Sequence, residues 1–303
     1  MPRARTLAQV YRHFGEVDAA GTSPLYERVA VALSESEEAL RAIEAAPSRK
    51  RHPTVILAAL HDLALAGHAP ALAAAYAAAD GDAAASAAID TLLRMTDAVA
   101  AVAVRRPARS DETGHGAVLY PAIAEAARRV GANAVGLIDV GCSGVDLDPV
   151  DVTDADAARW LRACVWPGQP ERVATLEAEM ALAATAPRLL LRGDAVEVLP
   201  DAFTQMPAGA LPVVTTTWAL SHFPLERRLR FLHRLGDAAA GRAVAWVSAE
   251  GVGVAPAIPT FGDRRASGHS IIGLAVFGQS ALRAEAIGRC RSQGRLLAWL
   301  AGS

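Results

Sequence analysis

Between Val135 and Asp151 the chain reads VGLIDVGCSGVDLDPVD. Val135, Leu137, Ile138 and Val140 form a short, β-branched apolar run, the pattern of a buried strand. Gly141-Cys142-Ser143-Gly144 follows as a turn whose glycines leave the backbone open to close approach by a ligand. A second strand signal starts at Val145, so only those four residues separate Val140 from Val145. Neighbouring parallel strands need a crossover of about a dozen residues or more, usually a helix. Four residues can turn a hairpin, and a hairpin is antiparallel. The spacing therefore predicts that Val135–Val140 is a central buried strand and that Val145–Val152 is loop or a short irregular edge. Such an edge leads directly into a helix at Ala155, capped by Thr153 or Asp154. It also carries Asp146 away from the end of a strand beside Val140.

Before this stretch the periodicity is helical. Leu7, Val10, Tyr11, Phe14 and Val17 are spaced for one helix over residues 6–20. Pro24 suits the first turn of the next helix, with Ser23 as its cap. Further helices are expected over residues 34–46 and 55–65, the latter stopped by Gly67. The Ala-rich stretch 71–104 reads as two helices split near Gly81, and residues 119–130 as one more, ended by Gly131. His52, His61 and His68 lack the i, i+4 spacing of a helical zinc pair. The basic run Arg49-Lys50-Arg51 reads as a solvated face.

After Val135 strands alternate with helices, which marks an α/β domain. Helices are expected over 155–165, 173–184 and 225–239, and a turn with a short helix over 196–203. Strands are expected over 189–192, 213–217, 243–248, 270–276 and 282–288. The organisation read from the sequence is a helical region over 1–110 and an α/β domain over 111–303.

The 303 residues carry a formal net charge of -2 and no basic stripe, so no nucleic-acid partner is expected. Three scattered cysteines without a CxxC pair fit a reducing cytoplasm better than a disulfide framework. The N-terminal segment has no apolar core of a signal peptide, and no apolar run is long enough to span a bilayer. The expectation is a cytoplasmic protein with no membrane partner.

In open α/β sheets ligands bind beyond the carboxyl ends of the strands. Asp139, Gly141, Gly144 and Asp146 surround the first such end. Asp194, Thr217, His222 and Glu250 follow later strands and fall on the same rim. Taken singly, Asp194 reads equally as a helix cap and Glu250 as a solvated loop acid. Asp111, Glu112 and His115 form a second polar group that reads as a helix-entry loop. The acidic residues from Asp146 to Asp156 do not make a calcium loop, because Asp151 and Ala157 stand where glycine and a bidentate glutamate are required.

The order DVGCSG, GVDLDP, RGDAVEVLP and VVTTTWALSHF resembles class I S-adenosylmethionine-dependent methyltransferases. More closely, the chain resembles a bacterial family, domain of unknown function 2332, through Leu7–Phe14 with Ser23-Pro24-Leu25-Tyr26, Glu112-Thr113-Gly114, Asp139–Ser143, Val145–Asp154, Ala158-Arg159-Trp160-Leu161, Val165-Trp166-Pro167, Arg192-Gly193-Asp194 and Glu250-Gly251. The resemblance implies a Rossmann-like, methyltransferase-like α/β fold, with a mostly parallel sheet, helices on both faces and an all-helical region before it. It implies S-adenosylmethionine as cofactor and a small-molecule substrate. Gly141 and Gly144 would face the methionine part, with Asp139 just before the turn; Asp146 would take the ribose, and Asp194 would lie near the adenine. His222 is the candidate catalytic base. The family carries several tens of residues between its Gly-rich turn and its VDLDP-like block, and this chain has none there. The alternative reading is a non-catalytic member with a degenerate cofactor site.

Overall fold

The computed structural model describes residues 6–106, 115–141, 145–146, 150–185, 189–265, 268–278, 282–291 and 297–300. It is a mixed α/β protein. The chain divides into two compact units, Met1–Glu112 with Val152–Thr185, and Thr113–Asp151 with Ala186–Ser303. The helical segment after Asp151 thus belongs with the N-terminal helices.

In the first unit, α1 (Leu7–His13) starts in a capping box between Thr6 and Gln9 and continues as a π-helical turn over Phe14–Ala19. Gly15 lets that turn lie against α2 (Pro24–Glu35), since a Cβ there would come within 2.9 Å of the Glu27 carbonyl oxygen and of Val31. Ser23 caps α2 and Pro24 opens it, as the sequence predicts. Then come α3 (Glu37–Ile43), α4 (Pro53–Leu65), α5 (Pro70–Ala77), α6 (Gly81–Arg94) and α7 (Thr96–Arg105). The 71–104 stretch is therefore three helices where the periodicity predicts two. Asp80 caps α6 after Ala79 turns at positive φ, and a second break falls at Met95, whose backbone leaves the helical region. Helix α8 (His115–Val130) belongs to the second unit. The first unit closes with α9 (Ala155–Cys164), capped by Asp154, and α10 (Pro170–Thr185). Its core is built on Tyr11, Tyr26, Leu33, Ile56, Leu57, Leu60 and Trp160. Buried Asp62 on α4 accepts from Arg159 on α9 at 2.9 Å. No single described helix is long and apolar enough to cross a membrane; α4 and α5 reach that length only as a pair bent by 99°, and α4 is largely buried in this core.

The second unit is an eight-stranded sheet with the order β3-β2-β1-β4-β5-β6-β7-β8. The strands are β1 (Val135–Val140), β2 (Val145–Asp146), β3 (Leu191–Arg192), β4 (Leu211–Thr217), β5 (Val244–Gly251), β6 (Ser270–Phe277), β7 (Leu282–Cys290) and β8 (Leu297–Trp299). The first five pair in parallel and the last three add antiparallel to β5. Helices α11 (Ala195–Thr204) and α12 (Leu225–Ala238) pack on one face, against Ile138, Val140, Val214 and Trp246. Helix α8 packs on the other, against Val213, Ala245, Val247 and Ile272. Phe231 of α12 meets Trp246 edge to face at 5.8 Å, and both are fully buried. Full burial of such a side chain stabilises by roughly 1.5–3 kcal/mol.

The pairing of β1 with β2 overturns the expectation drawn from their spacing. They are parallel neighbours, not a hairpin or an irregular edge, and their single pair is Val140 with Val145. A long crossover is required to carry the chain back to the start of the preceding strand. Here the first residue of β2 stands level with the last residue of β1. Val140 and Val145 therefore lie one strand spacing apart, about 4.8 Å, and no return along the strand is needed between them. Asp146 is thereby kept in the sheet, one strand from β1, and is not displaced from it.

Candidate functional site at the carboxyl rim of the parallel strands

Because β1 to β5 are parallel, their carboxyl ends lie along one rim. Strand order runs from β1 toward β2 and β3 on one side and from β4 toward β5 on the other, so the reversal lies between β1 and β4. Gly141 follows β1 at φ +143°, a conformation that favours glycine, and a Cβ there would meet none of the described residues within 4 Å. One residue before Val140, the half-buried Asp139 accepts the hydroxyl of buried Thr215 at 2.7 Å, across the β1–β4 pairing.

On the β2–β3 side, Asp146 pairs with Arg192 and its carbonyl accepts from Gly193 N–H at 2.9 Å. Gly193 is needed there because a Cβ would come within 2.5 Å of Val198. Asp194 then caps α11, accepting from Val196 N–H at 3.0 Å, and pairs with the Arg227 guanidinium of α12. The helix-cap reading of Asp194 is thus realised, and the Arg227 partner is an addition that sequence spacing does not signal. Gly144 and the Asp111-Glu112 pair lie outside the described residues, as does the side chain of His115.

On the β4–β5 side the chain leaves Thr217 through Trp218, which sits at φ +56° with its N–H on the Ala249 carbonyl at 3.1 Å. A bulky residue there is an uncommon conformation and marks a constrained segment. Ser221 donates its hydroxyl to the Trp218 carbonyl at 2.5 Å, and a 3-10 turn over Leu220–His222 follows. His222 is exposed on this turn. Beneath it lies Glu250, only 1% exposed, where the solvated-acid reading places it in water. Its Oε1 accepts from Leu220 N–H at 3.1 Å, and its Oε2 has no hydrogen-bond partner. Burial pushes this carboxyl up to about 7, opposed by the Leu220 amide, the Thr216 hydroxyl, the Ser221 amide and Arg228. Trp246 Nε1 donates to Thr216 at 3.1 Å, and Arg228 donates to the carbonyls of Phe223 and Val254. The loops leaving β4 and β5 are therefore tied to each other.

The rim brings together Asp139, Gly141, Asp146, Asp194, His222 and Glu250 on successive strand ends. It combines Gly141 in a glycine-favouring conformation, several acids, an exposed imidazole and a carboxyl that burial pushes up to about 7. A shallow apolar groove of about 680 Å³ between α12 and the β6–β7 turn, lined by Leu229, Leu232, Phe277 and Leu282, lies at the opposite end of the sheet, where β5 begins.

Fold and rim together define a mixed α/β protein with one helical and one sheet-centred unit. The family described as "Uncharacterized protein conserved in bacteria (DUF2332)" matches residues 8–144 and 143–299, and the chain belongs to it. No curated protein and no solved structure matches the chain.

Proposed function

We propose that the second unit is a Rossmann-like cofactor-binding domain, that its cofactor is S-adenosylmethionine, and that the protein transfers a methyl group to a small molecule. The observation that carries this reading is Gly141, in a glycine-favouring conformation with no described residue in the way of a Cβ, at the strand end where the sheet order reverses. Only four residues separate β1 from β2, too few for a crossover helix. Dinucleotide sites use a helix N-terminus there to hold pyrophosphate, so a nucleoside without phosphates suits this turn better. The flanking acids Asp139 and Asp146 suit a ligand whose sulfonium is positive. Asp146, as the last residue of β2, stands where an acid takes the ribose hydroxyls. Gly141 and Gly144 would pass the methionine part. Asp194 would meet the adenine with the acceptor capacity left by Val196 and Arg227. Methyl transfer then requires chiefly an acceptor held in line and, for a protic acceptor, a base; His222 is the exposed group available on the rim.

One observation favours a second reading, a non-catalytic binding protein. Val135 and Leu137 are 38% and 53% exposed, on the face of β1 where a crossover helix would pack. The two matched stretches of the family abut at Ser143-Gly144, which supports the loss of a segment at this point. Thermal-shift titration with S-adenosylmethionine, NAD and ATP tests the proposal. Stabilisation by S-adenosylmethionine alone supports it. Equal or greater stabilisation by the phosphate-bearing ligands removes it.

A further inference from the structure

We propose that Glu250 is a positioning residue whose buried carboxyl holds the loop 218–223 closed over the rim, and that its ionisation releases the loop. The inference uses the proposed cofactor site only for its consequence; the loop itself is a property of the sheet unit.

The geometry is specific. The loop carries the constrained Trp218 and the exposed His222, and Leu220 between them is fully buried. Leu220 N–H donates to Glu250 Oε1, which ties the middle of the loop to β5, while Arg228 holds its end at the Phe223 carbonyl. The second carboxyl oxygen is buried without a partner. A neutral carboxylic acid tolerates that environment. A carboxylate does not, because an uncompensated buried charge must recover water or a counter-ion. The groups around it do not supply one. On β4 the neighbour is the Thr216 hydroxyl. The loop offers the Leu220 and Ser221 amides and His222 at the surface. At the start of α12, Arg227 is engaged by Asp194, and Arg228 is directed to the Phe223 and Val254 carbonyls. In the segment after β5, Asp263 is engaged by His269 and Arg289, and Arg264 and Arg265 complete the charged set. Of these, Arg228 acts on Glu250 and is the weakest of the influences named above. Admitting water to Oε2 requires the loop to lift. Lifting it moves His222 and Trp218, so the rim is ordered with Glu250 neutral and loosened with Glu250 charged.

Hydrogen–deuterium exchange of the full chain tests this between pH 5.5 and 8.5, read as protection factors after correction for the intrinsic rate. Protection of residues 218–223 should fall at least tenfold as pH rises through about 7. E250Q keeps an acceptor for Leu220 and cannot ionise, so its loop should stay protected across the range. E250A should be unprotected throughout. Far-UV circular dichroism establishes that each variant is folded. A flat wild-type profile overturns the proposal whatever the variants do, and so does an E250Q profile that retains the transition. Cofactor titration at pH 6 and 8.5 separates the two claims: a loop transition without cofactor binding leaves this inference standing and removes the proposed function.

Discussion

The hydroxyl of Thr215 donates to the carboxylate of Asp139 at 2.7 Å, joining β1 and β4 one residue below the point where the rim opens. Thr215 is 1% exposed, so this bond is shielded while the carboxylate stays half open to the rim. Thr215→Val keeps the side-chain shape and removes the donor. A hydrogen bond to a charged group contributes about 1.5–3 kcal/mol. Urea unfolding should show a loss of that order, and an unchanged midpoint would mean that Asp139 does not depend on this bond.

Asp194→Ala removes a helix cap and an ion-pair partner together. Loss of the cap costs about 0.5–2 kcal/mol. The pair with Arg227 adds little, because both side chains are about a third exposed and screened by solvent. Asp194→Asn retains an acceptor for Val196 N–H. Thermal melting should therefore find the Asn variant close to wild type and the Ala variant clearly lower; equal losses would assign the stability to the ion pair.

Gly273 on β6 faces Ser248 and Ile258, and a Cβ there would come within 2.7 Å of both. Ile258 lies in the segment after β5 and packs on the same face of the sheet. Gly273→Ala forces these groups apart, and overpacking of this kind costs typically 1–3 kcal/mol. A melting temperature at or above that of wild type would contradict the close approach.

His61 in the first unit and Glu250 in the second should contribute to the pH dependence with opposite signs. His61 lies half-buried, edge-on to Tyr76, in the first unit, and desolvation lowers its imidazole to about 4. The unfolded chain takes up the proton first, so this contribution is present above about 6.5 and is lost as pH falls toward 4, on the order of 3 kcal/mol in full. Glu250, raised to about 7, stabilises below its unfolded value near 4.5, and that contribution is lost as pH rises through 7. Peptide-resolved exchange at pH 4.5, 6 and 8 should show the first unit weakening at the acid end. His61→Gln should flatten the acid limb, and an unaltered limb would reassign it.

Much of the architecture is legible locally. Ser23-Pro24, Asp154, Gly67 and Gly131 mark helix ends by capping and turn chemistry that acts within a few residues. The placement of Asp139, Gly141 and Asp194 at strand ends follows from the alternation of apolar runs with turns. The β1–β2 step is different. Spacing determines what a full-length crossover needs, but the stagger of Val140 against Val145 is set by where β3 and β4 pair with these strands. Glu250 is hidden for the same reason: a loop thirty residues earlier in the chain folds over it. The Arg227–Asp194 pair joins α12 to the cap of α11, which no short-range pattern encodes.

Calorimetric titration of the full chain with S-adenosylhomocysteine at pH 6 tests whether the Gly141 rim holds the proposed S-adenosylmethionine. The product analogue avoids turnover, and this pH keeps the 218–223 loop in its ordered form. The account predicts one-to-one binding in the micromolar range, weakened at least tenfold in Asp146→Ala with the variant still folded. No heat of binding from folded wild-type protein, or an affinity indifferent to Asp146, would contradict it.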